Sequence, residues 1–191
     1  MRKLIVSMNV SLNGFMAGPH GELDWHASYW DEEMARVTAS QLGDADTLLL
    51  GRITYCAMAP YWSALQANAF GARVDMDYAD LINRCQKVVF SKTLNAVSWQ
   101  NSRLAQRSLS KEIKALKAAA GKSIVVYGSG KLVWALNRLN LVDEYRIWVH
   151  PVLLSKGRPL FKTKINIRPY KTSVFNTGVV LIYYKTGAVS G

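Results

Sequence analysis

Two short segments share one arrangement: a run of apolar side chains, a glycine, then polar or charged residues that open a helix. The first is Leu48-Leu49-Leu50-Gly51-Arg52-Ile53-Thr54; the second is Ile124-Val125-Val126-Tyr127-Gly128-Ser129-Gly130-Lys131-Leu132. A helix N-terminus presents unpaired N–H groups and a partial positive charge, so each corner is a ready anion site. Glycine lets the backbone approach a phosphate closely. Thr54 or Ser129 adds a hydroxyl donor, and Arg52 or Lys131 a full charge. A third apolar run ends in Ser91-Lys92. Three strand ends with phosphate-type donors suit one dinucleotide lying across a sheet edge. Taken singly, each corner is equally a plain strand–helix turn. Position 133 is Val133, so the second segment lacks the third glycine of GxGxxG, and the spacing before Lys131 is too short for a Walker loop.

The elements that must hold these corners follow from periodicity. Residues 3–10, 47–50, 87–91 and 123–127 are short apolar runs of buried-strand type, and 96–100 reads as a further strand. Helices are expected over 29–42, 52–58 (stopped at Pro60), 75–84, 109–120 and from Gly130 through 138. Residues 143–152 alternate, Tyr145, Ile147 and Val149 against Arg146, Trp148 and His150, which makes His150 a half-exposed structural residue. Residues 168–186 read as two strands joined at Asn176-Thr177-Gly178. This predicts one α/β domain over 1–187 with a short tail (188–191): a mostly parallel central sheet, helices on both faces, and a C-terminal antiparallel hairpin.

Composition bounds the partners. The 191 residues suffice for a core without disulfides or metals, and Cys56 and Cys85 stand alone, as in a reduced cytoplasmic protein. The N-terminus turns polar too early for a signal peptide, and no apolar run approaches the roughly 20 residues that span a bilayer. Net charge is +11 and uneven: residues 1–83 hold 5 Lys/Arg and 10 Asp/Glu, residues 84–191 hold 19 and 3. A basic half suits a phosphate-bearing small molecule or a solvated face; no nucleic-acid-binding signature accompanies it. His20, His26 and His150 have no ligand spacing, so no metal is expected.

Together the segments resemble a known family. Gly51-Arg52-Ile53-Thr54-Tyr55, Val88-Val89-Phe90-Ser91-Lys92, Val126-Tyr127-Gly128-Ser129-Gly130 and Leu139-Asn140-Leu141-Val142-Asp143-Glu144 resemble the dihydrofolate reductase superfamily. Within it, the Leu-Val-Asp-Glu stretch, His150-Pro151-Val152-Leu153-Leu154 and Pro159-Leu160-Phe161 resemble the riboflavin-pathway reductase domain of bifunctional deaminase–reductases. The resemblance runs from about residue 2 to 185. It implies that Gly51, Arg52, Ile53 and Thr54 hold the pyrophosphate and part of the adenosine phosphate. Ser91 and Lys92 would meet a 2′-phosphate, which favours NADPH over NADH. Tyr127, Gly128, Ser129, Gly130, Lys131 and Leu132 would wrap the pyrophosphate and nicotinamide ribose, and backbone near Asn9, Met16 and Ala17 would line the nicotinamide. A homodimer is implied too, with the terminal hairpin and strand 143–152 as its surface.

The implied activity is hydride transfer from NADPH to a flat pterin- or pyrimidine-type substrate, which also needs a proton. Dihydrofolate reductases place a carboxylate on the helix before the Gly-Arg motif. Here Asp31, Glu32 and Glu33 lie at that helix's start, where acids favour the dipole regardless. Riboflavin-type reductases often show Asp-Gly after the first strand; this chain has Asn13-Gly14. Asp24, beside Trp25, is the acidic candidate, with an N-cap as its plainer explanation. Trp25 and Tyr61 are the candidates to stack on the substrate. Two alternatives stand beside this reading. One is the riboflavin-pathway reductase acting on a ribosylated aminopyrimidine phosphate, with Lys156, Arg158 and Lys162 as a second phosphate pocket. The other is an NADPH-binding protein without turnover.

Overall fold

The computed structural model describes residues 1–67 and 73–187. Its strands are β1 (Leu4–Ser11), β2 (Phe15–Ala17), β3 (Ala45–Gly51), β4 (Gln86–Phe90), β5 (Ser102–Leu104), β6 (Ser123–Val126), β7 (Glu144–His150), β8 (Arg158–Pro159), β9 (Ile167–Val174) and β10 (Val180–Thr186). The helices are α1 (Glu32–Gly43), α2 (Arg52–Ala67), α3 (Arg73–Arg84), α4 (Leu109–Ala118) and α5 (Gly130–Arg138), with a 3-10 helix over Asp24–Tyr29.

Eight strands form one sheet in the order β5-β4-β3-β6-β1-β7-β10-β9. It is parallel from β5 to β7, and β10 and β9 then run antiparallel. The architecture is the expected one. β2 and β8, a separate two-stranded sheet, had no signal in the sequence.

Apolar runs become central strands because both sheet faces are covered. Leu4, Val6, Leu49, Val88 and Val126 pack under Ile113 of α4 and Val133 and Leu136 of α5. Ile5, Leu48, Leu50, Val89 and Val125 pack under Leu42, Tyr55 and Ile82 of α1, α2 and α3. Leu48, Leu49 and Leu50 are wholly buried, each worth about 1.5–3 kcal/mol relative to exposure. Strand β7 lies between β1 and β10, and Trp25, His26 and Tyr29 pack over its end, so His150 is buried rather than half-exposed.

Three local expectations are corrected. The helix predicted over 29–42 is divided: Asp31 caps α1, its Oδ1 accepting from the Met34 amide at 2.8 Å, and the residues before it form the 3-10 helix. Helix α2 continues through Pro60. Cys56 and Pro60 face outward, where the carbonyl left without its N–H partner can meet water, while Tyr55 and Ala59 anchor the inner face. Residues 96–100 form no strand. The Tyr55 hydroxyl accepts the Ser98 and Trp99 amides, both at 2.9 Å, and so takes the donors that a ladder needs.

That loop is fastened to α3 through Asn83, which is fully buried. Its Oδ1 accepts from Trp99 Nε1 at 2.5 Å, and its Nδ2 donates to the Trp62 carbonyl at 3.1 Å. Its own carbonyl accepts from Lys87 Nζ at 3.0 Å and Asn101 Nδ2 at 2.9 Å.

Candidate functional site

Strands β3 and β6 are neighbours, and both end in a glycine corner that starts a helix. The Gly51 amide donates to the Gly128 carbonyl at 2.8 Å. A Cβ at Gly51 would come within 2.3 Å of Ser129 Oγ, and one at Gly128 within 2.9 Å of Thr54 Oγ1. Gly128 also has φ +117°, which disfavours a side chain. The Gly128–Ser129 peptide is cis. The Leu132 and Val133 amides are spent on the Ser129 carbonyl, which leaves the first amides of α5 facing outward as donors.

These corners open on a cleft of about 560 Å³. Its walls come from β1 (Ser7, Met8, Asn9), β2 (Met16, Ala17), the loop and 3-10 helix after β2 (His20, Gly21, Leu23, His26) with Trp30 beyond it, and α1 (Thr38). Ile53, Thr54, Ala57, Met58 and Trp62 of α2, Tyr78 of α3, Tyr127 to Gly130, Trp148 and Arg158 complete it. The walls are mainly apolar, as ligand clefts are.

Of the residues expected to meet the cofactor, Asn9, Met16, Ala17, Ile53, Thr54, Tyr127, Gly128, Ser129 and Gly130 are brought together here. Gly51 is buried behind them. Arg52, Lys92 and Lys131 are exposed at the ends of β3, β4 and β6, and none forms an ion pair among the described residues. Ser91 Oγ accepts the Thr93 and Leu94 amides at 3.0 and 2.8 Å, shaping the turn after β4. Leu132 is corrected: its amide is used internally and its side chain packs in the core.

The substrate-side candidates are also corrected. Asp24 is exposed on the 3-10 helix, does not line the cleft, and is not an N-cap, since Leu23 holds that position. Trp25 packs edge-on against His26 and His150 behind the wall. Tyr61 is 55% exposed, while its neighbour Trp62 turns inward. Trp30 and Trp62 thus join Trp148 of β7 as the indoles of the cleft. The sequence contained both, but which of two adjacent aromatics faces inward depends on the helix phase.

Among the described lining residues there is no Asp or Glu; the ionisable groups are His20, His26, Tyr78, Tyr127 and Arg158. Burial lowers the His26 pKa and raises that of Tyr127 to about 12. Burial likewise pushes Tyr78 well up, reinforced by its contact with Tyr127. Arg158 is steadied by donating from Nε to the Pro19 carbonyl at 3.3 Å.

Sheet order, paired glycine corners and cleft define a dihydrofolate-reductase-like α/β domain. Residues 2–181 match the family described as the RibD C-terminal domain, and the chain belongs to that family. The uncharacterized protein YyaP of Bacillus subtilis (strain 168) is 33% identical over 186 residues, covering 96% of this chain and 94% of YyaP. A Shewanella sp. PV-4 protein named for riboflavin biosynthesis has a solved structure with TM-score 0.74 and 21% identity, over 97% of this chain and 99% of that one. The dihydrofolate reductase of Enterococcus faecalis, solved with NADP(H) and RAB-propyl, superposes with TM-score 0.58 and 13% identity over 97% of each chain. No described helix is long and apolar enough to cross a membrane.

Proposed function

We propose that the chain is an NADPH-dependent reductase acting on a flat heterocycle of the pterin or pyrimidine type. One observation carries this: two glycine corners with helix N-termini lie side by side on adjacent strands and open on one apolar cleft. The residues fit a dinucleotide, because the close contact of the two corners, with no room for a Cβ at Gly51 or Gly128, sets the Thr54 and Ser129 hydroxyls and the start of α5 together on the cleft wall.

In this reading the starts of α2 and α5 take the pyrophosphate. Arg52 and Lys92, unpaired among the described residues, meet the additional phosphate of NADPH. Bound NADPH supplies the hydride. Asn9, Met16 and Ala17 line the place for its ring, and the apolar walls exclude water from the transfer. Trp30 and Trp62 offer flat faces to a flat substrate. His26, the partly buried imidazole on the wall, carries the proton that the reduced atom takes up.

A second reading, reduction of a ribosylated aminopyrimidine phosphate, is favoured by Arg158, whose side chain reaches the cleft. The larger basic pocket anticipated for it is not formed: Lys162 Nζ lies 3.7 Å from the centre of the Trp134 ring, and Lys156 is exposed outside the cleft.

Titration calorimetry with NADPH and NADH at low and physiological salt tests the cofactor. Micromolar NADPH binding with clearly weaker NADH binding supports it; no binding of either removes it. NADPH oxidation in the presence of dihydrofolate, pterins or the riboflavin-pathway pyrimidine then separates a reductase from a protein that binds without turnover.

A further inference from the structure

On the α1 side of β1, Ser7, Asn9 and Ser11 follow one another at a spacing of two, three polar residues in a strand covered on both faces. Each has found a partner. Trp148 Nε1 donates to Ser7 Oγ at 3.3 Å, and Ser11 Oγ accepts the Phe15 amide at 3.0 Å. Asn9 Oδ1 lies 3.1 Å from His150 Nε2. Of the three, Asn9 is the one with a carboxamide on the cleft wall.

His150 is 1% exposed and is boxed in by Trp25, His26 and Tyr29, with ring centroids 5.5, 5.6 and 5.7 Å away. Its Nδ1 has no partner. A neutral ring in this box carries its single proton on Nε2, where it meets an acceptor, since a proton on Nδ1 would be a buried donor with nothing to bind. The Nε2–H therefore donates to Asn9 Oδ1. This leaves the Asn9 NH₂ as the group free to turn towards the cleft.

The sheet order says what lies there. Strands β4, β3, β6 and β1 are consecutive, and at about 4.8 Å per strand the ends of β4 and β1 are roughly 14 Å apart. With phosphate donors at Ser91-Lys92 on β4 and the glycine corners on β3 and β6, an extended dinucleotide has its second ring at β1.

We propose that His150 is a positioning residue: it holds the Asn9 carboxamide so that its NH₂ donates to the carboxamide oxygen of the bound nicotinamide. This rests on the NADPH reading above.

The test is calorimetry on the full chain with two probes, NADPH and adenosine 2′,5′-bisphosphate, which keeps the adenosine, the 2′-phosphate and one phosphate of the pyrophosphate but lacks the nicotinamide half. His150→Leu and Asn9→Leu should each weaken NADPH about tenfold and leave the bisphosphate within about a factor of two. His150→Gln, whose amide N–H reaches the same oxygen, should regain most of the NADPH affinity. Unchanged NADPH binding in a folded His150→Leu or Asn9→Leu protein overturns the proposal, as does equal loss of both probes or a His150→Gln protein no better than His150→Leu. Should His150→Leu fail to fold, Asn9→Leu alone decides between selective and equal loss. A wild-type chain that binds neither probe defeats the cofactor reading itself, and this inference with it.

Discussion

The Gly51 amide donates to the Gly128 carbonyl at 2.8 Å, and this bond joins the turn that starts α2 to the turn that starts α5. The two corners form one surface, so a disturbance at either is felt at both.

Gly51→Ala follows directly. The added methyl would meet Ser129 Oγ and the Ser129 amide nitrogen, 2.3 and 2.9 Å away, and the second of these is backbone. Overpacking of this kind costs about 1–3 kcal/mol. A lower thermal midpoint together with weakened NADPH binding by calorimetry is expected; a variant unchanged in both would mean that the corners are not packed against each other.

Arg52 and Lys92 separate the two nicotinamide cofactors. Each contact between a side-chain cation and a phosphate is worth about 1.5–3 kcal/mol, and the 2′-phosphate exists only in NADPH. Arg52→Ala and Lys92→Ala should therefore weaken NADPH far more than NADH in parallel titrations. Equal losses would remove the 2′-phosphate assignment.

Trp30 and Asp24 should behave in opposite ways in a substrate-dependent NADPH oxidation assay. Trp30 faces the cleft while 46% exposed, so Trp30→Ala should cut kcat/KM about tenfold for the loss of a stacking face and leave the melting temperature nearly unchanged. Asp24 is exposed away from the cleft, so Asp24→Asn should keep its rate. The reverse pattern would restore the carboxylate as proton source.

Lys87 gives a pH dependence with a definite sign. It is fully buried, donates to the Asn83 and Cys85 carbonyls at 3.0 and 2.7 Å, and lies 4.7 Å from the centre of the Trp99 ring. Burial lowers its pKa from 10.5 to about 8. Between those values the folded chain has released a proton that the unfolded chain still holds, so stability rises with pH across the window; below about 8 the full cost of the buried charge remains. Measured by denaturant unfolding, wild type should gain on the order of 3 kcal/mol relative to Lys87→Met from pH 8 to 10.5. A flat difference would show that the ammonium is not desolvated.

His150 acts at the acid end. Burial, with His26 opposite, lowers its pKa from 6.5 to about 4. The unfolded chain binds a proton in that window before the folded one does, so stability falls as pH drops from 6.5 towards 4. In His150→Gln that limb of the acid unfolding curve should flatten, and a limb identical to wild type would assign it to other groups.

Much of the scaffold was legible because local and tertiary preferences agree in it. Leu48-Leu49-Leu50 and Ile124-Val125-Val126 can only be covered strands, and the glycines after them mark corners whatever surrounds them. The failures occur where a tertiary partner decides. Ser98 and Trp99 look extended until the Tyr55 hydroxyl takes their amides. Pro60 reads as a stop until the helix is seen to turn that side outward. Tyr61 and Trp62 are equivalent in composition and differ only in which way α2 faces. The pairing of Asn9 with His150 joins residues 141 positions apart. The alternation of Ser7, Asn9 and Ser11 within an apolar strand was the one trace of it in the sequence.

The bonds of Asn83 bear on how such a site can diversify. One asparagine holds the Trp62 carbonyl on the cleft wall, the Trp99 indole in the loop beyond, and the Lys87 ammonium beneath them. A lineage that exchanged Asn83 alone would strand the buried Trp99 indole N–H and free the Trp62 carbonyl, and one that exchanged Trp99 alone would strand Asn83 Oδ1. This wall is therefore inherited as a block, and substrate preference in related chains should drift through the separately anchored residues opposite it, on the loop and 3-10 helix that carry His20, Leu23 and His26 and at Trp30 just beyond.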